Sequence, residues 1–261
     1  MIRRWTGGLR AWPGRLMGLL LSCSLGTVAA GPTGSPGASE VVRMGILGNS
    51  PPMSFRNAEG EYSGYSIDMA RAVCRELNWH CQWVPTTISA VMDELKQGQV
   101  DVAAMSLLST PERRAQILLA RPYYTSISAW VARHGVALDA PGTRVAVVQG
   151  SAQARFAQTR SWKAVEVGTH AELAQALAQG RADGLLAPMM SVVGLMAQPP
   201  LQGLGLNVQP RREPELTGAA SFGISPLRPE LKPLIDGALE RLERNGVYDK
   251  INSRYLPFKV N

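Results

Sequence analysis

The chain has 261 residues, 45% of them hydrophobic and 18% charged, with 27 Lys and Arg against 20 Asp and Glu. That balance excludes disordered, collagenous and coiled-coil chains, and the length suits one large domain or two lobes. Three Cys and three scattered His (His80, His134, His170) exclude a Cys/His zinc framework, while the net charge of +7 raises nucleic acid or a membrane as partner.

Taken in chain order, the charge is the first thing to resolve. Residues 1–30 hold Arg3, Arg4, Arg10 and Arg15 and no acid, followed by an apolar run from Leu16 to Gly26 and then Val28-Ala29-Ala30. This is the layout of a secretory signal peptide, with cleavage expected after Ala30. The run is short of the roughly 20 residues a spanning helix needs, which weighs against the alternative of an uncleaved anchor. Leu20-Leu21-Ser22-Cys23 forms a weak lipobox, so lipid anchoring at Cys23 is the lesser alternative. Without the four arginines, 23 basic and 20 acidic residues remain, a net charge of +3. No basic stripe with interleaved aromatics survives, and nucleic acid drops out as a partner. Residues 31–40, rich in Gly, Pro and Ser, read as a flexible tether. Cys74 and Cys81 would then sit in an oxidising compartment, where a disulfide is expected and two free buried thiols are the alternative.

From Val41 onward strands and helices alternate. Val41–Leu47 is an apolar strand, Tyr62–Ser66 an extended piece, and Ile67–Leu77 a helix with Ser66 as its expected N-cap. Cys81–Pro85 is strand-like, Ser89–Gln97 helical, and Val100–Met105 a buried strand. Such alternation implies an α/β fold with a largely parallel sheet. The pattern then recurs: Leu95 to Asp101 (Leu-Lys-Gln-Gly-Gln-Val-Asp) faces Leu177 to Asp183 (Leu-Ala-Gln-Gly-Arg-Ala-Asp). Each unit follows a basic-apolar strand ending in glycine, Arg43 to Gly48 and Arg144 to Gly150. In the second copy Thr169 and Glu172 form a capping box. Two units in the same order point to two lobes built alike.

Ligands of such lobes collect at strand C-termini. After the strand ending at Met105 come Ser106 and then Thr110-Pro111-Glu112-Arg113, a good N-cap followed by proline at the first helical position. Arg113 is thereby set in a first helical turn, suited to hold a carboxylate bidentately; the alternative is a surface ion pair. In the second unit Gly150 permits close backbone approach and Ser151 offers a hydroxyl. Two donor-rich helix starts suggest an anion held across a cleft.

These residues bring a family into view. Arg43-Met44-Gly45, Gly64-Tyr65-Ser66-Ile67-Asp68-Met69-Ala70, Cys74 with Cys81, Gly98 with Asp101, Ser106, Thr110 to Arg113, Pro122-Tyr123, Gln149-Gly150-Ser151 and Asn245 to Ile251 occur in order over nearly the whole mature chain. In this the chain resembles the bacterial periplasmic solute-binding proteins of the polar amino-acid type, such as those for histidine and for lysine, arginine and ornithine. The resemblance implies an α/β fold of two lobes, the type II periplasmic-binding-protein or Venus-flytrap fold, joined by two crossing strands near Ala129–Arg133 and Ser221–Ser225. Lobe 1 would comprise 41–130 and 222–261, and lobe 2 131–221. It also implies a Cys74–Cys81 bridge, and a ligand carboxylate held by Arg113 with Ser106 and Ser151.

Other positions depart from the pattern. Where the family carries an acid for the ligand ammonium, this chain reads Ala187-Pro188-Met189, and proline offers neither charge nor N–H. The first-lobe loop holds Asn49, Ser50 and Met53 in place of an aromatic, Leu47 replaces an acid, and Met105 replaces a serine. The carboxylate clamp is kept and the ammonium clamp is missing. The expectation is therefore a periplasmic receptor, monomeric and without cofactor or metal, that captures a small carboxylate-bearing solute for an inner-membrane ABC permease. Its expected ligand-binding residues are Ser50, Met53, Met105, Ser106, Thr110, Arg113, Gly150, Ser151 and Pro188. The alternatives are an enzyme on the same scaffold, like cyclohexadienyl dehydratase, and an accessory or sensory protein with a degenerate pocket.

Overall fold

In the computed structural model, which describes residues 40–137 and 140–255, strand β1 (Val41–Leu47) alternates so that Val42, Met44 and Ile46 are fully buried. The expected signal peptide, Cys23 within it, and all of the 31–40 tether but its last residue lie outside the described residues. A hairpin of β2 (Phe55–Arg56) and β3 (Tyr62–Ser63) leads into helix α1 (Tyr65–Glu76). The helix is entered at Gly64, and Ser66, expected to cap it, lies inside its first turn. The free N–H groups of Tyr65 and Ser66 donate to the carbonyls of Pro52 and Met53, so the preceding loop does the capping and Ser66 is released for another role.

Strand β4 (His80–Thr86) follows, tied to α1 by the Cys74–Cys81 disulfide, whose Cα atoms are 6.2 Å apart. Then come α2 (Val91–Lys96), β5 (Val102–Leu108), α3 (Pro111–Arg114), β6 (Leu118–Leu119) and β7 (Tyr124–Ser126). Strand β5 runs three residues past its expected end and takes in Ser106. The second half holds β8 (Ser128–Arg133), β9 (Arg144–Val148), α4 (Ala152–Gln158), β10 (Lys163–Val167), α5 (His170–Ala178), β11 (Gly184–Pro188), α6 (Met189–Met196) and β12 (Leu206–Arg211). The chain returns through β13 (Gly218–Ile224), α7 (Leu231–Arg244) and α8 (Val247–Tyr255).

Two sheets result. The first has the order β4-β1-β5-β13-β6, with β7 also on β13; the second has the order β10-β9-β11-β8-β12. In each, a parallel trio is centred on the first strand of a repeat: β4-β1-β5 and β10-β9-β11. Beside each trio lies an antiparallel strand that has arrived from the other lobe, β13 in the first sheet and β8 in the second. The sheets are therefore mixed, not largely parallel, and the reason is the double crossing. The crossings also move from where they were expected. Since β7 pairs in the first sheet and β8 in the second, the outward crossing is at Ile127. The return lies between Arg211 of β12 and Gly218 of β13. Ala129–Arg133 and Ser221–Ile224 lie just beyond these switches, each within one sheet. Their apolar pattern is the same on either side of a switch, so only pairing reveals it.

The internal repeat has a physical core. Arg43 donates its backbone N–H (2.8 Å) and Nε (3.0 Å) to one oxygen of Asp101 and Nη2 (2.7 Å) to the other. Arg144 does the same with Asp183, at 2.8 Å and 3.2 Å for the first two bonds. Each clamp ties the start of a central strand to the turn before its parallel neighbour. Gly98 and Gly180, both at φ 68°, end the preceding helices in the left-handed region that glycine tolerates. Burial would raise the Asp101 carboxyl, but hydrogen bonds and charge from Arg43, with Arg228 nearby, hold it below the ordinary range. For Asp183 the Arg144 hydrogen bond leads the same lowering.

Helices cover both faces of each sheet, which the alternation along β5 and β9 records. Val102 and Ala104 face the core under α1, α7 and α8, while Ala103, Met105 and Leu107 face the one beside α2. Ala146 and Val148 face α5, and Val145 and Val147 face α4, Trp130 and Phe156.

Candidate functional site

The parallel strands of both sheets end at one cleft between the lobes. From the first lobe come the loop after β1, with Leu47, Ser50, Met53 and Ser54, the C-terminal end of β5, and Arg113 of α3. The second lobe contributes the starts of three helices: Ser151 and Gln153 at α4, His170 at α5, and Pro188 and Ser191 at α6. The lobes meet closely here. A Cβ on Gly194 of α6 would lie 2.4 Å from the Pro51 carbonyl oxygen, and one on Gly150 would lie 2.7 Å from Ser89 Cα. Met190 of α6 packs into the first lobe's core. The space between the lobes is about 60 Å³, room for about four to six waters at 10–15 Å³ each.

Arg113 is the charged centre of this space. Proline at the first position of α3 and the Thr110 hydroxyl, which accepts the Arg113 N–H at 3.4 Å, set its backbone. Its guanidinium donates Nη1 to the Leu108 carbonyl at 3.0 Å and Nη2 to the Gly150 carbonyl at 3.5 Å. Nε is buried without a partner, and no acid of the described residues pairs with the group. Burial, then the charge of Arg155, lowers its pKa from 12.5 to about 10, so it stays cationic at neutral pH. A buried cation with no counter-ion is costly unless an anion joins it.

Around Arg113 the wall is hydroxylic and apolar. Ser106 Oγ lies 3.0 Å from Ser66 Oγ and 2.6 Å from the Tyr123 hydroxyl, which is the role the shifted cap freed Ser66 for. Ser151 Oγ caps α4 by accepting the Ala154 N–H at 3.0 Å, leaving its hydroxyl proton to donate. Ser50 Oγ lies 2.9 Å from His170 Nδ1, a bond between the lobes. His170 is buried, and loss of solvent lowers its pKa to about 4, so the ring is neutral at physiological pH. No Asp or Glu lines the space.

Seven of the nine expected residues line this one cavity: Ser50, Met53, Met105, Ser106, Arg113, Ser151 and Pro188. Thr110 and Gly150 stand behind it, the first capping the Arg113 helix and the second accepting from Arg113 and, at 3.2 Å, from Arg155. Ser66, from the Gly64 to Ala70 stretch, also lines it, as do His170, Gln153, Ser126 and Ser191, which carry no motif of their own. His170 was within reach: it follows Thr169, whose hydroxyl accepts the Glu172 N–H at 3.3 Å, and so opens a helix at a parallel strand's end. Among the described residues, no three or more His, Cys, Asp or Glu are grouped to hold a metal ion.

Two α/β lobes meeting at a cleft with a buried, unpaired guanidinium define a solute-binding receptor. The profile of the bacterial extracellular solute-binding proteins, family 3, matches residues 42–258, and the chain belongs to that family. It is 26% identical over 239 residues to the L-arginine-binding protein of Pseudomonas aeruginosa, covering 85% of this chain and 90% of that one. It is 27% identical over 256 residues to the lysine/arginine/ornithine-binding periplasmic protein of Escherichia coli, covering 94% and 97%. Among solved structures it resembles an ancestral amino acid-binding protein described as a precursor of cyclohexadienyl dehydratase, with TM-score 0.73, 25% identity and coverage of 82% and 95%. No helix of the described residues is long and apolar enough to cross a membrane.

Proposed function

We propose that this protein works in the periplasm as a monomer, after cleavage behind Ala30, capturing a small carboxylate-bearing solute of amino-acid size and delivering it to an inner-membrane ABC importer. The carrying observation is the Arg113 guanidinium, buried with Nε unpartnered and in no ion pair with an acid of the described residues. In this reading Arg113, Ser106 and Ser151 hold the carboxylate, while Thr110 and Gly150 set the position of Arg113. Met53 and Met105 form apolar walls, and Ser50 and Pro188 close the opposite side. The lobes are taken as expected, 41–130 with 222–261 and 131–221, but with their inner limits moved to Ile127 and to between Arg211 and Gly218. Relatives named for arginine and for lysine, arginine and ornithine support a solute of this class, and one named as an ABC transporter arginine-binding protein supports the importer.

The test is thermal unfolding against a panel of small carboxylates. A ligand at 100 times its Kd stabilises by about 2.7 kcal/mol, a rise of about 5–10 °C in Tm for a chain of this size. Arg113→Ala should lose that rise while keeping its ligand-free Tm, because the side chain removed is an uncompensated buried charge. An Arg113→Ala variant stabilised as much as the wild type would exclude the assignment.

A second reading, an eliminating enzyme on this scaffold, draws on His170, a buried titratable ring in the cleft, and on the dehydratase precursor among the related structures. Incubation with prephenate, with products followed by absorbance, tests it; turnover that His170→Asn abolishes would favour this reading over the receptor.

A further inference from the structure

The charges around the cleft are unbalanced in one direction. Arg113 contributes a positive charge, His170 is neutral, and no lining side chain is acidic. An amino acid entering as a zwitterion would neutralise Arg113 with its carboxylate and then bury an ammonium facing no anion. The hydroxyls that could accept from such a group are neutral, and five of the seven lining serines are engaged, Ser126 and Ser191 being the exceptions. Ser50 is on His170, Ser54 donates to the Leu47 carbonyl, Ser66 and Ser106 share a chain with Tyr123, and Ser151 caps α4. Gln153 donates its amide to Ser128 at 2.9 Å. Pro188, where β11 runs into α6, has no N–H and no polar side chain, and Met53 and Met105 add only apolar surface. A carboxylate beside a neutral hydroxyl or carbonyl meets none of these penalties, since serine hydroxyls both donate and accept.

We infer that the solute is a small amine-free acid, a 2-hydroxy or 2-oxo carboxylate, and that this receptor discriminates against the 2-amino acid of the same skeleton. The inference rests on the carboxylate reading above and narrows it. Because a buried ammonium without a counter-ion loses several kcal/mol, the amino acid should bind at least about 100-fold more weakly than its hydroxy or oxo counterpart.

Calorimetric titration with matched sets that differ only at C2 tests this: alanine, lactate and pyruvate; serine and glycerate; valine, 2-hydroxyisovalerate and 2-oxoisovalerate. The expected result is binding of at least one hydroxy or oxo acid, lost in Arg113→Ala, with its amino counterpart at least about 100-fold weaker. An amino acid that binds as tightly as its amine-free counterparts, and depends on Arg113, would overturn the inference and leave the carboxylate reading standing. No binding by any member of the sets would overturn both.

Discussion

Acidification from pH 7 to pH 4.5 should destabilise this protein through one ring, His170. The ring lies in the interlobe cleft with Nδ1 on Ser50, and burial lowers its pKa from 6.5 to about 4. Between those values the unfolded chain binds a proton that the folded chain refuses, so stability is full above pH 6.5 and falls with pH until about 4. A gap of roughly 2.5 units at 1.36 kcal/mol each amounts to about 3 kcal/mol in all, of which about 2.4 kcal/mol falls between pH 7 and 4.5. For a chain of this size that is about 5–10 °C in Tm. Urea denaturation at both pH values, on wild type and on His170→Asn, isolates the contribution, since asparagine keeps a polar partner for Ser50 and does not titrate. The wild type should lose about 2.4 kcal/mol more than the variant. Because opening the lobes also returns the ring to water, solute affinity should fall over the same window. Equal losses in the two proteins would refute the account of His170 as a buried neutral ring.

Closure offers a second test. Gly194→Ala would place a methyl 2.4 Å from the Pro51 carbonyl oxygen, so the lobes should rest farther apart and solute affinity fall about tenfold or more, while α6 gains about 1 kcal/mol of helix propensity. Small-angle scattering should show a larger radius of gyration without loss of ligand-free stability. The paired clamps should differ in worth. Asp101 is 1% exposed, so Asp101→Asn should cost about 2–3 kcal/mol in urea denaturation, and Asp183→Asn, in a clamp open to solvent, under about 1 kcal/mol. The depressed Asp101 carboxyl also contributes stability that is present above pH 4 and lost as pH falls below its ordinary pKa of 3.8. Replacing Cys74 and Cys81 by serine opens a loop with a sequence separation of 7 and should lower stability by up to about 2.5 kcal/mol under non-reducing conditions.

Much of this molecule is legible in its residues because the relevant signals are local. Strand alternation, Thr110-Pro111 at a helix start and Thr169 with Glu172 at another each act within a turn or two of chain. The recurrence of Gly98-x-x-Asp101 as Gly180-x-x-Asp183 exposes two similar lobes, and Arg43 and Arg144 stand at matching places even before they are seen to grip those aspartates. Where a signal depends on a competing partner it misleads. Ser66 is a good cap by composition, but the carbonyls of Pro52 and Met53 take the amide protons first and its hydroxyl goes to Ser106.

From the sequence alone followed an α/β chain of two like lobes, carrying at Arg113 a guanidinium suited to a carboxylate. Only the tertiary structure decided that this guanidinium is buried without a counter-ion, that His170 and the serines join it, and that no acid does. It also decided that the chain changes sheets at Ile127 and again between Arg211 and Gly218. The physical reason is common to all of these. Local periodicity sets which face of an element is buried, whereas the charge balance and solvation of a cleft are sums over residues from Leu47 to Ser191 that meet only when the lobes close.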